Sequence, residues 1–316
     1  MVLPRRNIWI LGGTGFIGRA LLKHLLGNSA NQIHMLINRN KPFGELEQVN
    51  TISGSLSRFD PLWLKRYPPD VVFHLARPAG KNMYSRFWAA KHGQAANKRL
   101  INIFLSLPSP PIVIYVSGSL MYGDRPNELP ALETSCLNPV SFAKTYLLSE
   151  LPWVHAKEKK LLDIRFARPG WIAGPSSWFK LFFWDMMRQT GKIPCYGSGK
   201  QMMSLIHLDD GASAIDALSI FGKPGSDLNV YSDTITHKQF CEQLAALTGK
   251  QINMIPEKEL LSTYGKTVAE ALTSSIPMSS IYPDIHRKAD IRFKSTETLL
   301  VDIIRLLESK EGVLTE

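Results

Sequence analysis

At 316 residues, 44% hydrophobic and 20% charged, the chain has the balance of a globular protein and the length for two domains, or for one with an elaborated lobe. No apolar run approaches the ~18 residues of a membrane span, and Met1-Val2-Leu3-Pro4-Arg5-Arg6 leads straight into a strand with no room for a signal peptide, so a cytoplasmic home without membrane contact is expected. A net charge of +10 invites anions, yet Lys157, Glu158, Lys159 and Lys160 form only a short mixed run; an anionic cofactor or carrier protein explains the excess, and nucleic acid is not expected.

The first element carries the strongest signal. Ile8-Trp9-Ile10-Leu11 is an apolar strand that breaks into Gly12-Gly13-Thr14-Gly15-Phe16-Ile17-Gly18. Ile17, Leu21, Leu22, Leu25 and Leu26 then recur at helical period. Gly12 suits a tight turn, Gly15 lets a pyrophosphate approach the backbone, and Gly18 allows the helix to pack closely on the sheet. The helix's free N–H groups and positive dipole end then hold phosphates. A bare turn would not need both the strand and the helix, so Gly12, Thr14, Gly15, Phe16 and Ile17 are candidate dinucleotide contacts.

Residues 32–37 form a second strand, ending at Asn38-Arg39-Asn40-Lys41, and 51–54 a third. Asp60-Pro61 opens a helix over 60–67. The runs 71–75 and 112–116 are β-rich and read as buried parallel strands. A long helix is expected over 87–106, another over 142–157 with a kink at Pro152, and a strand over 161–166. This alternation implies an α/β fold, a doubly wound parallel sheet of Rossmann type. Beyond Arg168-Pro169-Gly170 the regularity weakens. Residues 178–187 are rich in large apolar groups, 204–210 run into a small-residue helix, 229–231 return a last strand to the sheet, and 238–248 and 295–307 are helical by period. Cys136, Cys195 and Cys241 show no metal-site spacing, and no metal is expected.

Four further segments follow the glycine turn in order: Asp70-Val71-Val72-Phe73-His74-Leu75-Ala76, Tyr115-Val116-Ser117-Gly118-Ser119-Leu120-Met121-Tyr122-Gly123-Asp124, Arg168-Pro169 with Gly174-Pro175, and His207-Leu208-Asp209-Asp210. Together they resemble the extended short-chain dehydrogenase/reductase family, the sugar-epimerase and dehydratase relatives, over most of the chain. The resemblance implies a dinucleotide-binding domain over 1–168 and about 204–235, and a smaller substrate lobe over about 169–203 and 236–316. It implies that Ser55 and Leu56 lie by the adenine, that Leu75 and Ala76 lie by the ribose and phosphates, and that Pro169 touches the cofactor. An NAD-preferring site ends its second strand in an acid that binds the ribose 2′-OH and repels a 2′-phosphate. Asn38 stands there instead, followed by Arg39, whose guanidinium can pair with phosphate. NADP(H) is the expected cofactor; two ordinary surface cations, Arg39 and Lys41, are the other reading.

The reaction centre departs from the family. Relatives carry a Ser or Thr before the Tyr-Gly turn and then a Tyr-x-x-x-Lys pair, the tyrosine moving a proton and the lysine tuning it. Here alignment puts Gly118 at the Ser/Thr position, between Ser117 and Ser119, with Phe142 at the tyrosine and Tyr146 at the lysine. Positions 142 and 146 share one helix face. Ser117, Ser119 and Tyr146 are the remaining catalytic candidates; Tyr146 has a second reading, as a ribose contact or as packing. On the substrate side, Met203 stands where nucleotide-sugar enzymes clamp a diphosphate with Arg, and Trp171 where they carry a polar sugar contact. With Trp178, Phe179, Phe182, Phe183, Trp184, Met186 and Met187 following, the small-molecule substrate is expected to be flat or apolar, unless half of these residues form core. Arg77 replaces a small residue and either binds an anion or carbonyl oxygen or makes a surface salt bridge, while Phe142 forms part of the cleft. The expected function is an NADP(H)-dependent ketoreductase of secondary-metabolite type, working without the usual pair. A non-redox cyclase, isomerase or lyase and a dinucleotide sensor or scaffold remain open, as does a homodimer.

Overall fold

The computed structural model describes residues 5–38, 44–77, 80, 83–125, 127 and 129–313. The N-terminal half runs β1 (Asn7–Leu11), α1 (Phe16–Leu26), β2 (Gln32–Ile37), β3 (Asn50–Ser53), α2 (Leu62–Arg66), β4 (Val71–His74), α3 (Met83–Leu105), β5 (Ile112–Val116), α4 (Ser141–Glu158) and β6 (Ile164–Pro169). Then follow β7 (Trp171–Ala173), α5 (Asp185–Thr190), β8 (Lys192–Tyr196), β9 (Met202–His207), α6 (Leu208–Phe221), β10 (Leu228–Val230) and β11 (Asp233–Thr236). The chain closes with α7 (His237–Thr248), β12 (Gln251–Ile255), α8 (Glu257–Tyr264), α9 (Lys266–Thr273), α10 (Pro283–Lys288) and α11 (Thr296–Val313).

Among the described residues, seven strands form one parallel sheet in the order β10-β6-β5-β4-β1-β2-β3, a Rossmann-like α/β architecture. The winding reverses at β1: β2 and β3 lie on one side of it, β4, β5 and β6 on the other. Such a reversal opens a crevice beyond the carboxyl ends of β1 and β4. Side chains of β1 alternate between two cores. Ile8 and Ile10 pack with Leu21, Leu22 and Leu25 of α1 and with Ile215 of α6. Trp9 and Leu11 pack with Leu100 and Phe104 of α3 and with Trp153 of α4. A strand covered on both faces has to be apolar along its length, which is why these strands were legible as unbroken runs.

The later elements form a three-stranded sheet, β11-β9-β7, and a β12-β8 pair, around a third core holding Phe179, Phe183, Trp184 and Phe240. Several boundaries differ from the sequence expectation. The helix expected over 60–67 is confined to α2, because Asp60 stays outside it and its Oδ1 accepts the Leu62 N–H at 2.9 Å. The helix expected from 87 begins at Met83; its exposed Tyr84 gives no apolar period to read. Residues 180–184 form a widened π-helical turn ahead of α5, which takes side chains off the 3.6 period. Residues 204–207 lie in β9, paired with β7 and β11 rather than with the large sheet.

Four histidines are buried among the described residues: His34, His74, His207 and His237. His74 sits on β4 with Nε2 2.9 Å from Asn97 Oδ1, and His237 begins α7. Burial pushes both down to about 4. An unfolded chain protonates its histidines near 6.5, so the stability these sites allow is full above that value and is lost as pH falls from 6.5 towards 4. The expected loss is about 2 kcal/mol per histidine by pH 5. Urea unfolding at pH 7 and pH 5 should show the drop; an unchanged midpoint would mean that the folded form already carries these protons.

Candidate functional site

The turn after β1 is built by close backbone approach. Gly12 has φ +90°, and a Cβ placed there would lie 2.6 Å from the Ala76 nitrogen at the exit of β4. A Cβ on Gly18 would lie 2.4 Å from the Gly12 carbonyl oxygen, so α1 packs against the turn itself. Gly15 caps α1, and a Cβ there would meet only the Gly12 oxygen, at 3.3 Å, so backbone N–H groups face open space at this helix start. Those are the conditions for seating a pyrophosphate.

Two adjoining cavities open from this point. The first, of about 570 Å³, brings together Gly12, Thr14, Gly15, Asn38, Ser55, Leu56, Leu75 and Ala76. The second, of about 320 Å³, brings together Phe16, Ile17, Ser117, Ser119, Phe142, Tyr146, Pro169 and Trp171, along with Trp178. Arg77 lines both. Arg39 and Lys41 lie outside the described residues. A glycine cradle at a helix start, followed by a long groove without an acid at Asn38, fits a nicotinamide dinucleotide. The adenosine end would lie by Asn38 and Ser55, the phosphates by Gly12 and Gly15.

The floor of the second cavity is a buried polar network. Ser117 Oγ donates to Glu150 Oε2 at 2.6 Å, and Arg168 Nη1 donates to Glu150 Oε1 and to Ser117 Oγ, each at 2.9 Å. Desolvation of Arg168 is outweighed by Glu150 and Asp227, which hold the guanidinium charged. Burial pushes the neighbouring Tyr115 phenol above its ordinary range, so it stays protonated. Above this floor the Phe142 and Tyr146 rings lie 5.4 Å apart, and the Arg77 guanidinium stands 5.6 Å from the Tyr146 ring centre while donating to the Ser117 carbonyl. The Ser119 and Tyr146 hydroxyls make no hydrogen bond to the described residues, whereas that of Ser117 is engaged by Glu150.

Some expectations are corrected. Met203 lines neither cavity: it is 4% exposed on β9, paired with Ile235, and packs in the aromatic core. Phe179, Phe183, Trp184 and Met187 are core as well, leaving Trp178, its ring 4.8 Å from that of Trp171, as the cavity-lining member of that stretch. Glu150 was missed, although it continues the four-residue spacing of Phe142 and Tyr146 along α4. Cys195 of β8 meets His237 and Cys241, one turn apart on α7, with donor atoms within 4.8 Å of one another. His237 Nε2 accepts the Tyr196 N–H at 3.5 Å and its Nδ1 lies 2.8 Å from the Gln201 side-chain amide, so both ring nitrogens are engaged within the protein and the cluster reads as packed core.

A profile of the NAD dependent epimerase/dehydratase family matches residues 8–230. No curated protein sequence matches the chain. Among solved structures, dTDP-glucose 4,6-dehydratase from Bacillus anthracis str. Ames in complex with NAD superposes with a TM-score of 0.76 at 18% identity, covering 97% of this chain and 98% of that one. UDP-N-acetylglucosamine 4-epimerase from Methanobrevibacter ruminantium M1, in complex with UDP-N-acetylmuramic acid, gives 0.76 at 19%, covering 98% and 100%. The human epimerase family protein SDR39U1 with NADPH gives 0.73 at 18%, covering 94% and 99%. At these identities the likeness speaks for fold.

The ion pair under the cavity generates a stability test. Arg168→Met would leave the Glu150 carboxylate buried without its cation and should cost about 3–5 kcal/mol. Ser117→Ala keeps the ion pair and should cost about 1–2 kcal/mol. Equal losses in urea unfolding would mean that the pair does not hold this floor.

Proposed function

Because the chain belongs to the NAD dependent epimerase/dehydratase family, we propose that it is an NADP(H)-using oxidoreductase that reduces a carbonyl on a flat, apolar substrate. The observation that carries this reading is the continuity of the two cavities: a glycine-cradled groove runs directly into an aromatic one. In it Gly12, Gly15 and the start of α1 hold the pyrophosphate, and Asn38 presents no carboxylate against a 2′-phosphate that Arg39 would pair with. When bound, the nicotinamide supplies the hydride. The chain's own part is to place a carbonyl beside it, with Trp171 and Trp178 taking the flat body and the Ser119 hydroxyl polarising the oxygen. Tyr146 holds the ribose or passes the proton. Phe142 has no proton to give, so the substrate's own hydroxyl or a water completes the step. That same absence favours the second reading, a non-redox reaction on this fold.

Two outcomes follow. NADPH should bind at least tenfold tighter than NADH, with Arg39→Ala removing most of that gap, about 1.4 kcal/mol; equal affinities by calorimetry at low salt would overturn the choice of cofactor. Phe142→Tyr combined with Tyr146→Lys should raise NADPH-dependent turnover of simple ketones by about 10²-fold or more, because a missing general acid typically costs 10²–10⁴-fold. If neither parent nor variant oxidises NADPH with any carbonyl in a broad panel, the non-redox reading takes its place.

A further inference from the structure

Arg77 lies three residues beyond β4 and lines both cavities. Its guanidinium donates to the Ser117 carbonyl and lies over the face of the Tyr146 ring. Among the described residues no carboxylate pairs with it. Arg77 is exposed, whereas the buried arginines are each paired: Arg6 with Asp216, Arg165 with Asp163, and Arg168 with Glu150. The second cavity does contain a carboxylate on its floor, but Glu150 is already held by Arg168 and Ser117. A guanidinium has five N–H donors in a planar fork, and here most of them are open to solvent or a ligand at the wall of an aromatic cavity.

That combination is a receptor for a planar anion set on a flat apolar body. Carboxylate geometry matches the fork two N–H groups at a time, while Tyr146, Trp171 and Trp178 supply ring faces and edges for the rest. Resting on the reading of this cavity as the substrate site, we propose that its ligand is an aromatic or similarly flat carboxylic acid whose carboxylate docks on Arg77. The dinucleotide's pyrophosphate is the other anion within reach, since Arg77 also borders the first cavity. The two sources separate experimentally.

The probes are 2-naphthoate and 4-phenylbenzoate with their carboxamides, titrated by calorimetry into the full chain at pH 7 with saturating NADP⁺. The parent should bind each acid at least tenfold tighter than its amide. Arg77→Met should erase that preference and change NADP⁺ affinity less than threefold. Arg77→Lys, which keeps the charge and loses the fork, should retain part of the preference. Acid and amide binding equally to the parent would overturn the proposal, as would an undiminished preference in Arg77→Met. A tenfold loss of NADP⁺ affinity in Arg77→Met with the acid preference intact would assign Arg77 to the dinucleotide. Should Arg77→Met fail to fold, the parent's acid-to-amide ratio and Arg77→Lys decide. If no dinucleotide binds and the acid preference still depends on Arg77, the redox reading falls while this one stands; if neither acid nor amide binds the parent, this one falls.

Discussion

Everything near the site depends on a backbone contact at Gly12. The turn leaving β1 comes so close to the exit of β4 that any side chain at this position would overlap the Ala76 main chain, and its φ of +90° is one that residues with a Cβ rarely adopt. That approach fixes the start of α1, and the second contact, Gly18 against the Gly12 oxygen, fixes the angle at which α1 leaves. Since β1 is also where the sheet changes its direction of winding, the crevice, the helix start and the border between the two cavities share one anchor. A strand order can survive much substitution; this junction tolerates almost none.

The polar floor plays the corresponding part for the other half of the site. Ser117 follows β5 directly, Arg168 lies in β6 and Glu150 in α4, so their hydrogen bonds tie a helix to a strand and to the exit of its neighbour. Ion pairs of this kind are weak evidence of net stability, because removing both charges from water is costly. What they impose is register. With Glu150 held, Tyr146 and Phe142, one and two turns earlier on α4, are set at fixed heights over the cavity.

How much of this could be read from residues alone depended on the range of the interactions. β1, β2, β4 and β5 were legible because burial on both faces writes itself into a few consecutive residues, and the dinucleotide cradle was legible because its glycines are local. Beyond β6 the signals are long-range: β9 is a strand by virtue of β7 and β11, so Met203 looked like a ligand contact and is core. Phe183, within the π-helical turn at 180–184, is buried while Trp178 ahead of it lines the cavity, a division that no period predicts. Glu150 carried a readable spacing, but its partners arrive from β5 and β6, and only packing reveals them.

The last strand of the large sheet has a consequence for how the protein comes into being. β10 completes the parallel ladder beside β6, with Leu228, Asn229 and Val230 opposite Ala167, Arg168 and Pro169. Asn229, fully buried, donates to the Ala131 and Ser279 carbonyls and accepts from the Tyr122 hydroxyl at 2.6 Å, drawing three distant loops together. Until residue 230 has left the ribosome, β6 is a bare edge, an unpaired row of amides and carbonyls open to any neighbouring strand. Every nascent chain therefore passes through an interval in which most of the nucleotide-binding sheet exists and its border does not. The intervening segment, 170–227, sets how long that exposure lasts.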